Sequence, residues 1–280
     1  MPPPVTSTLL TTATSPSAAP PRARPADSGV LTQVRVLTGR ALRRLWDRRL
    51  IVLTLLQPLI MLALFSQVFR AVANSPGFPS GVNYIDYLLP AILVTTGSQS
   101  AIGSGTGLAN DLRNGALARF RTLPISMTSL LVARSLFDLV RGAIQLIALT
   151  LAALPLGYAP AGGIGGTTLA LLIGLTNGAA LSWVFIALAS WVRNVELLQM
   201  LGLVVIFPLM FVSSAFVPLA GLPPWMRVLA TINPLSYAVD AARGWALGDP
   251  AFGATLSALI TCAAFIAGAA VIASRGVRRP

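Results

Sequence analysis

The chain alternates between long apolar runs and short polar segments. Six of the runs approach or exceed about 20 residues, the length that an α-helix needs to cross the hydrocarbon core of a bilayer. Charged residues are nearly absent from these runs. The pattern therefore predicts an all-α integral membrane protein with six transmembrane helices, at about 50–69, 87–108, 135–156, 168–191, 197–219 and 252–274.

The segment before the first run has a helical period instead. Between residues 30 and 46 the apolar positions fall on one side of a helix and the arginines on the other, which predicts an amphipathic helix lying in the headgroup region. An ordinary solvated amphipathic helix is the alternative. Residues 1–28 are rich in Pro, Ser, Thr and Ala and are predicted to form a disordered cytoplasmic tail.

Composition supports the membrane assignment and orients the chain. Of its 280 residues 55% are hydrophobic and only 10% are charged, and the 20 basic residues outnumber the eight acidic ones. The basic residues are all arginines, and most lie at the chain ends and in alternate loops. Because basic loops are retained in the cytoplasm, both termini are expected to be cytoplasmic. The arginines cluster between apolar spans, so the expected partner is a lipid bilayer and not nucleic acid.

The residue types that are missing exclude several kinds of chemistry. There is no histidine and there is one cysteine, Cys262, which is read as a packing residue, so no metal site or cysteine/histidine nucleophile is expected. Lysine is absent too, and a phosphate-binding loop requires it, so we expect no cofactor and no ATP site on this chain. The glycines at 103, 105 and 107 are interpreted as helix packing.

Two polar segments stand out between the spans. The segment 110–124 carries three arginines, and its predicted helix stops before Pro124. Retention of basic loops in the cytoplasm would account for the arginines alone. A short docking helix below the membrane would account for both the arginines and the stop. On the opposite side, segment 222–247 predicts two short helices folded into the outer leaflet. Its predicted features are helix starts at Pro223 and Pro224 and at Asn233 and Pro234, an apolar stripe of Leu235, Val239, Ala242 and Ala246, a pair of Asp240 and Arg243, and interface-seeking Trp225, Tyr237 and Trp245.

These segments carry a resemblance to a known family. The matching stretches are YIDYLLP at 84–90, Asp111 with Gly115 and RFRTLP at 119–124, LPPW at 222–225, NPLSY at 233–237 and DAAR at 240–243. Over residues 30–276 the chain resembles the type-2 permeases of ABC exporters, especially the daunorubicin-resistance-like subset. One position departs from the pattern, because Asn114 stands where the family often has an acidic residue.

The resemblance implies a type-2 ABC transmembrane domain over residues 29–280, without catalysis of its own. The helix at 30–46 would be the connecting helix, and 110–124 the coupling helix moved by a separate ATPase that binds ATP and Mg²⁺. The expected partners are two ATPase subunits and a second copy of the permease or a paralogue, in the plasma (inner) membrane. The coupling residues would be Asp111, Arg113, Gly115, Arg119, Phe120, Arg121 and Pro124, and the external helices would use Trp225, Asn233, Pro234, Tyr237, Asp240 and Arg243.

The resemblance also implies where substrate passes. In the family the second and fifth spans face a central cavity, which here places Thr95, Gln99, Phe207, Phe211 and Ser213 on its wall. Plain helix packing would explain any one of them as well. A mixed apolar and hydroxyl lining suits a hydrophobic or amphiphilic small molecule, a drug or a lipid, and the expected activity is efflux with antibiotic resistance. The aromatic content of 7% weighs against a polysaccharide or lipid-linked glycan.

Other classes stay open at this point. An ion-coupled secondary transporter would need ionisable groups at membrane depth, and the spans offer only Asp138 and Arg141. Standing three residues apart and close to the cytoplasmic end of their span, they are read as a self-neutralising pair, with a proton relay as the alternative. A membrane-embedded enzyme or scaffold lacks a catalytic constellation.

Overall fold

The computed structural model describes residues 48–68, 78, 81–113, 127–216 and 221–277, and the regular structure in these ranges is helical throughout. The helices are α1 (Arg48–Val68), α2 (Tyr84–Arg113), α3 (Met127–Ala153), α4 (Gly163–Val192), α5 (Val195–Phe211), α6 (Pro224–Ile232), α7 (Pro234–Leu247) and α8 (Phe252–Val277), with a 3-10 turn at Leu154–Leu156 after α3. The all-α prediction is confirmed for these ranges. The predicted tail, the predicted amphipathic helix at 30–46 and most of segment 110–124 lie outside them.

The long helices α1 to α5 and α8 each overlap one predicted span. In the described part of the chain, three stretches are long and apolar enough on their own to cross a bilayer, namely Leu131–Leu156, Gly163–Val192 and Phe252–Gly276. Leu55–Val68 and Val195–Phe211 are apolar but shorter. Helix α2 runs for 30 residues but includes Thr95, Ser98 and Gln99 near its middle. The number of spans therefore stays a prediction.

Helices α2 and α4 form the centre of the bundle, where glycines bring their backbones into contact. Every residue of α2 from Tyr84 to Ser98 is buried. A Cβ atom on Gly97 would lie 2.6 Å from the carbonyl oxygen of Gly174, and one on Gly178 would lie 2.9 Å from the carbonyl oxygen of Gly97. Such close approach is typical of membrane helices, which associate through small residues because lipid provides no hydrophobic drive between them.

The helix ends follow from local sequence. Asn194 caps α5, since its side-chain oxygen accepts hydrogen bonds from the backbone N–H groups of Glu196 and Leu197 at 3.0 and 3.2 Å. Asn233 caps α7 in the same way through Leu235 N–H at 2.9 Å, and Pro234 takes the first helical position. The two short helices α6 and α7 and the start of α7 are thus confirmed. Their insertion into the outer leaflet remains a prediction.

Several helices present large apolar side chains to the outside of the bundle. This is most pronounced on α5, where Val204 is 68% exposed, and it recurs on α1 and α8. A solvated protein rarely exposes so continuous an apolar surface, whereas lipid or a neighbouring membrane helix covers it without cost. The members of this surface include Leu56, Ile60, Leu64, Met200, Leu203, Val204, Phe207, Leu256, Ile260 and Val271.

The prediction for the fifth span was wrong at its end. Helix α5 ends at Phe211, whereas the apolar run predicted a helix as far as residue 219. Residues 212–216 remain apolar or hydroxyl-bearing but are not helical. The physical reason lies in where their backbone carbonyl groups are bonded, as described next.

Candidate functional site

The non-helical segment 212–216 is held by side chains from other helices. Asn233 Nδ2 donates to the carbonyl oxygens of Leu209 and Val212 at 2.6 and 3.3 Å. Tyr84 Oη donates to the carbonyl oxygen of Phe216 at 3.2 Å. Carbonyl groups that leave a helix inside an apolar environment must find donors elsewhere, and these donors replace the next helical turn.

Arg243 supplies the remaining donors and forms the centre of what we call the Arg243 cluster, made of Tyr87, Ser214, Ala215, Asp240 and Arg243. Its Nη2 donates to the carbonyl oxygens of Ser214 and Ala215 at 2.8 and 3.0 Å, and its Nε donates to that of Tyr87 at 3.2 Å. The guanidinium lies 3.6 Å from the centre of the Tyr87 ring. One side chain, 8% exposed, therefore joins α7, α2 and segment 212–216.

Asp240 completes this cluster. Its carboxylate accepts a hydrogen bond from Ser214 Oγ at 2.5 Å and lies 3.5 Å from Arg243 Nη1, so the predicted pair is confirmed. At the same end of the bundle, Asp86 at the start of α2 accepts a hydrogen bond from the backbone N–H of Ala159 at 2.8 Å. The start of α2 is thus bonded to segment 212–216 through Tyr84 and to the connection between α3 and α4 through Asp86.

The other predicted residues of the external helices lie on or near the surface. Trp225 on α6 is 64% exposed, as suits a side chain that faces a membrane interface. Tyr237 donates from its hydroxyl to the carbonyl oxygen of Thr231 at 2.6 Å, which ties α7 back to α6. In contrast, the apolar stripe of Leu235, Val239, Ala242 and Ala246 is buried inside the bundle.

At the opposite end of α2, Arg134 of α3 forms a second polar junction, which we call the Arg134 bridge and define as Ser104, Asp111 and Arg134. Its Nη1 lies 2.5 Å from Asp111 Oδ2, and its Nε donates to the carbonyl oxygen of Ser104 at 3.1 Å. The guanidinium also packs against Gly107 so closely that a Cβ atom there would collide with it. The bridge joins the two helices from which segment 114–126 departs.

Between these junctions, α1, α2, α3 and α5 line a partly open pocket of about 330 Å³, which we call the central pocket. One part of its wall is apolar and includes Met61, Ile102 and Leu203. The other part is polar. Its polar lining residues are Gln57, Thr95, Thr96, Gln99, Ser100, Arg141 and Gln145.

Asp138 and Arg141 meet beside this pocket. Their nearest charged atoms are 3.5 Å apart, so the predicted pair is confirmed. Helix α3 begins at Met127, so Arg141 lies near the middle of this helix. Arg141 Nη2 also donates to the carbonyl oxygen of Ser100 at 3.3 Å. Asp138 lies behind Arg141, in a narrow space lined by Ser135, Ser182 and Gln145 among others.

The sequence-based cavity residues divide into two groups. Thr95 and Gln99 line the central pocket, and Gln99 accepts a hydrogen bond from Gln57 at 3.1 Å. Phe207 and Phe211 contact each other with tilted rings, 4.8 Å between ring centres, on the exposed face of α5 outside that pocket. Ser213 is 2% exposed and donates to the carbonyl oxygen of Met210 at 2.7 Å, which is a local structural bond.

Of the predicted coupling residues, the structure describes two. Asp111 forms the Arg134 bridge, and Arg113 is the exposed last residue of α2. Gly115, Arg119, Phe120, Arg121 and Pro124 lie outside the described residues. Sequence reasoning missed Gln57 and Gln145 as pocket residues and Arg134 as a bridge, although a polar side chain inside or beside an apolar run is the signal that could have found them.

A single helix connects all of these features. Along α2, Tyr87 belongs to the Arg243 cluster, Thr95 to Gly103 face the central pocket, and Ser104 and Asp111 belong to the Arg134 bridge. At a rise of about 1.5 Å per residue, Tyr87 and Asp111 are about 36 Å apart, which is comparable to the thickness of a bilayer. Helix α2 thus connects the Arg243 cluster to the Arg134 bridge past a polar-lined cavity.

Comparison with known proteins identifies this architecture. Residues 32–247 match the family model described as ABC-2 type transporter. The daunorubicin resistance ABC transporter permease protein DrrB1 of Streptomyces coeruleorubidus is 32% identical over 198 residues, 70% of this chain and 68% of that protein. The ycf38 protein of Porphyra purpurea, whose name calls it a transport permease, is 32% identical over 219 residues, 76% of this chain and 74% of its own.

A third relative extends further along the chain. It comes from Mycobacterium tuberculosis, its name calls it a probable doxorubicin resistance ABC transporter permease protein, DrrC, and it is 27% identical over 259 residues, 89% of each protein. The family model covers the start of α1 through the end of α7, and therefore contains the Arg243 cluster, the central pocket and the Arg134 bridge. The chain belongs to the ABC-2 type transporter family of membrane-embedded permeases.

Proposed function

We propose that this chain is the transmembrane permease subunit of an ATP-driven exporter that moves a hydrophobic or amphiphilic small molecule, a drug or a lipid, out across the plasma membrane. The observation that carries the proposal is α2, which passes from segment 110–124 along the central pocket to the Arg243 cluster. The names of two relatives, which refer to daunorubicin and doxorubicin resistance, support a drug-like substrate.

The assembly we propose contains two permeases and two ATPase subunits. The second permease is another copy of this chain or a paralogue, and each ATPase binds ATP and Mg²⁺ from the cytoplasm, where both termini of the permease lie. The lack of lysine supports an external motor, because the phosphate-binding loop needs that residue. Phe207 and Phe211 are exposed on α5 and are proposed to face a cavity shared with the second permease.

Coupling to the motor is proposed to pass through segment 110–124 and its residues Gly115, Arg119, Phe120, Arg121 and Pro124. The Arg134 bridge supports this assignment, because it ties the ends of α2 and α3 together where that segment begins and ends. A push on the segment would then move both helices as one, together with the pocket wall that they form.

Breaking the Arg134 bridge is expected to uncouple the motor from transport. The Arg134→Gln variant should still assemble with the ATPase, but ATP hydrolysis should transport several times less substrate per ATP. Stability should change little, because Asp111 is 52% exposed and partly exposed ion pairs contribute only about 1 kcal/mol or less. The ratio of transported substrate to hydrolysed ATP, measured in proteoliposomes, tests this expectation.

The matched control exchanges the charges of Asp111 and Arg134. An Asp111→Arg, Arg134→Asp double variant restores the ion pair and should recover more of the coupling ratio than either single variant alone. The recovery should be incomplete, since Arg134 Nε also bonds the carbonyl oxygen of Ser104. If Arg134→Gln transports with an unchanged ratio, the bridge plays no part in coupling.

Transport by the reconstituted complex tests the function itself. Inside-out vesicles that hold the permease and its ATPase should accumulate a fluorescent amphiphile with ATP, and collapse of the proton gradient should not stop them. Vesicles with the permease alone should accumulate none.

The second candidate function is an ion-coupled transporter, and it is favoured only by Asp138 at mid-helix. It predicts uphill transport without ATP and loss of that transport in the Asp138→Asn variant.

A further inference from the structure

The guanidinium of Arg141 lines the central pocket, whereas its partner Asp138 is buried behind it. Arg141 lines the pocket, and its side chain is 26% exposed. Asp138, with a side chain that is 7% exposed, lies behind it and is not part of the pocket wall. Among the residues that line the pocket, Arg141 is the charged one. A molecule inside the pocket therefore meets the guanidinium before it meets the carboxylate.

The ion pair is also incompletely bonded. Asp138 Oδ2 and Arg141 Nε have no hydrogen-bond partner within the described part of the chain, and the closest approach of the two side chains is 3.5 Å. Buried charged groups are normally bonded on most of their polar atoms, because an unmade bond in an apolar environment costs free energy. Because Nε is itself buried, a further acceptor in the pocket would meet the exposed part of the guanidinium, which belongs to a side chain that is 26% exposed.

The rest of the wall matches a molecule with two different ends. Apolar side chains such as Met61, Phe65 and Leu203 accept a hydrocarbon part, and amide and hydroxyl groups near Arg141 accept a polar part. A guanidinium binds carboxylate or phosphate oxygens through charge-assisted hydrogen bonds, which are about twice as strong as neutral ones. A cationic polar end would instead be repelled by the one charge that faces it.

We infer that the central pocket binds the polar end of an amphiphile through Arg141, and that this end carries an anionic oxygen, as in a carboxylate, a sulfonate or a phosphate. The inference rests on the proposed function, because it names the substrate class of the same pocket. Arg141 determines specificity by contact with the bound molecule. Asp138 tunes that contact from behind, because its negative charge partly cancels the attraction.

The experiment uses the full chain in phosphatidylcholine nanodiscs and three photoreactive benzophenone probes. The probes share one alkyl chain and end in a carboxylate, a hydroxyl or a trimethylammonium group. The carboxylate probe should label peptides of α2 and α3 that line the pocket, and should do so several times more strongly than the other two. Equal labelling by all three probes, or labelling only of outward faces, would overturn the inference.

Two substitutions with opposite expected results separate specificity from folding. Arg141→Gln should lower labelling by the carboxylate probe about tenfold, the factor expected for a lost charge-assisted bond, and leave the hydroxyl probe unchanged. Asp138→Asn should raise labelling by the carboxylate probe, because the guanidinium then acts without a counter-charge. If Asp138→Asn lowers labelling by all probes equally, the pair is structural and the inference fails.

Adding phosphatidylglycerol to the nanodiscs distinguishes the source of the anionic group. If a lipid headgroup is the natural occupant, this anionic lipid should compete with the carboxylate probe; if the occupant is a small molecule, it should not. None of these measurements needs ATP or the ATPase. Selective binding without ATP-driven export would leave the inference standing and refute the proposed function, and export without selective binding would do the reverse.

Discussion

Replacing Arg243 by glutamine is expected to destabilise the protein by about 3 kcal/mol or more, because a buried guanidinium that bonds three backbone carbonyl groups is lost. The substitution leaves three backbone carbonyl groups, those of Tyr87, Ser214 and Ala215, without their donor. It also leaves Asp240 without its cation. Because the carbonyl groups of Ser214 and Ala215 bond to Arg243 and not to a following helical turn, we expect the segment to detach from α7. The midpoint of thermal unfolding in detergent, followed by fluorescence, should drop by several degrees or more.

Arg227 provides the matched control for this experiment. It is an arginine on the neighbouring short helix α6, it is exposed, and it donates to the carbonyl oxygen of Leu222 at 3.3 Å. Arg227→Gln should therefore change the unfolding midpoint very little. Arg243→Lys should fall between the two, since an ammonium group keeps the charge but cannot bond three carbonyl groups in the same geometry. Equal midpoints for Arg243→Gln and Arg227→Gln would show that the cluster adds no stability.

The second large effect is expected at Gly166, near the start of α4. A Cβ atom at this position would collide with the carbonyl oxygen of Trp245 and lie 3.0 Å from its carbonyl carbon. These are backbone atoms of α7, so the clash cannot be relieved by turning a side chain. Gly166→Ala should therefore push α4 and α7 apart and destabilise the protein by about 1–3 kcal/mol, as overpacking does elsewhere.

Gly165, the neighbouring residue on the same helix, has open space where its Cβ atom would stand. Gly165→Ala should be neutral or slightly stabilising, because alanine is the better helix former. The difference between the two unfolding midpoints isolates the contact with Trp245, since both variants add the same methyl group one position apart. A Gly166→Ala variant as stable as Gly165→Ala would contradict the close approach of these helices.

Local sequence rules predicted much of the external region. The cap at Asn233, the first helical position at Pro234 and the pairing of Asp240 with Arg243 depend on residues within one or two helical turns of each other. Such local signals can be read directly from a sequence. The pair of Asp138 and Arg141 was predicted on the same basis.

The contacts that build the candidate site could not be predicted in this way. Arg243 bonds the carbonyl group of Tyr87, 156 positions away, and Tyr84 bonds that of Phe216, 132 positions away. No periodicity in the chain reports such a contact. The error at the end of α5 has the same origin, because hydropathy continues past Phe211 while the carbonyl groups beyond it bond to Asn233 and Arg243.

The third helix begins earlier than the predicted span. The apolar run predicted a start of the third span at residue 135, whereas α3 begins at Met127, so Arg141 lies about two turns further into its helix than expected. The first turns of α3 carry polar side chains, so hydropathy alone does not indicate that they belong to the helix. Arg141 bonds the carbonyl oxygen of Ser100 on α2 and lies in the wall of the central pocket.

The glycine contact between α2 and α4 limits which parts of the bundle can move. With backbone against backbone at Gly97 and Gly178, neither helix can rotate or slide without a steric clash. Because α2 and α4 move as one unit, any widening of the pocket must come from displacement of α1, α3 or α5 relative to that unit, since these helices supply the remaining walls. Under the proposed function, alternating access would accordingly be a relative motion between this α2–α4 unit and the helices packed around it.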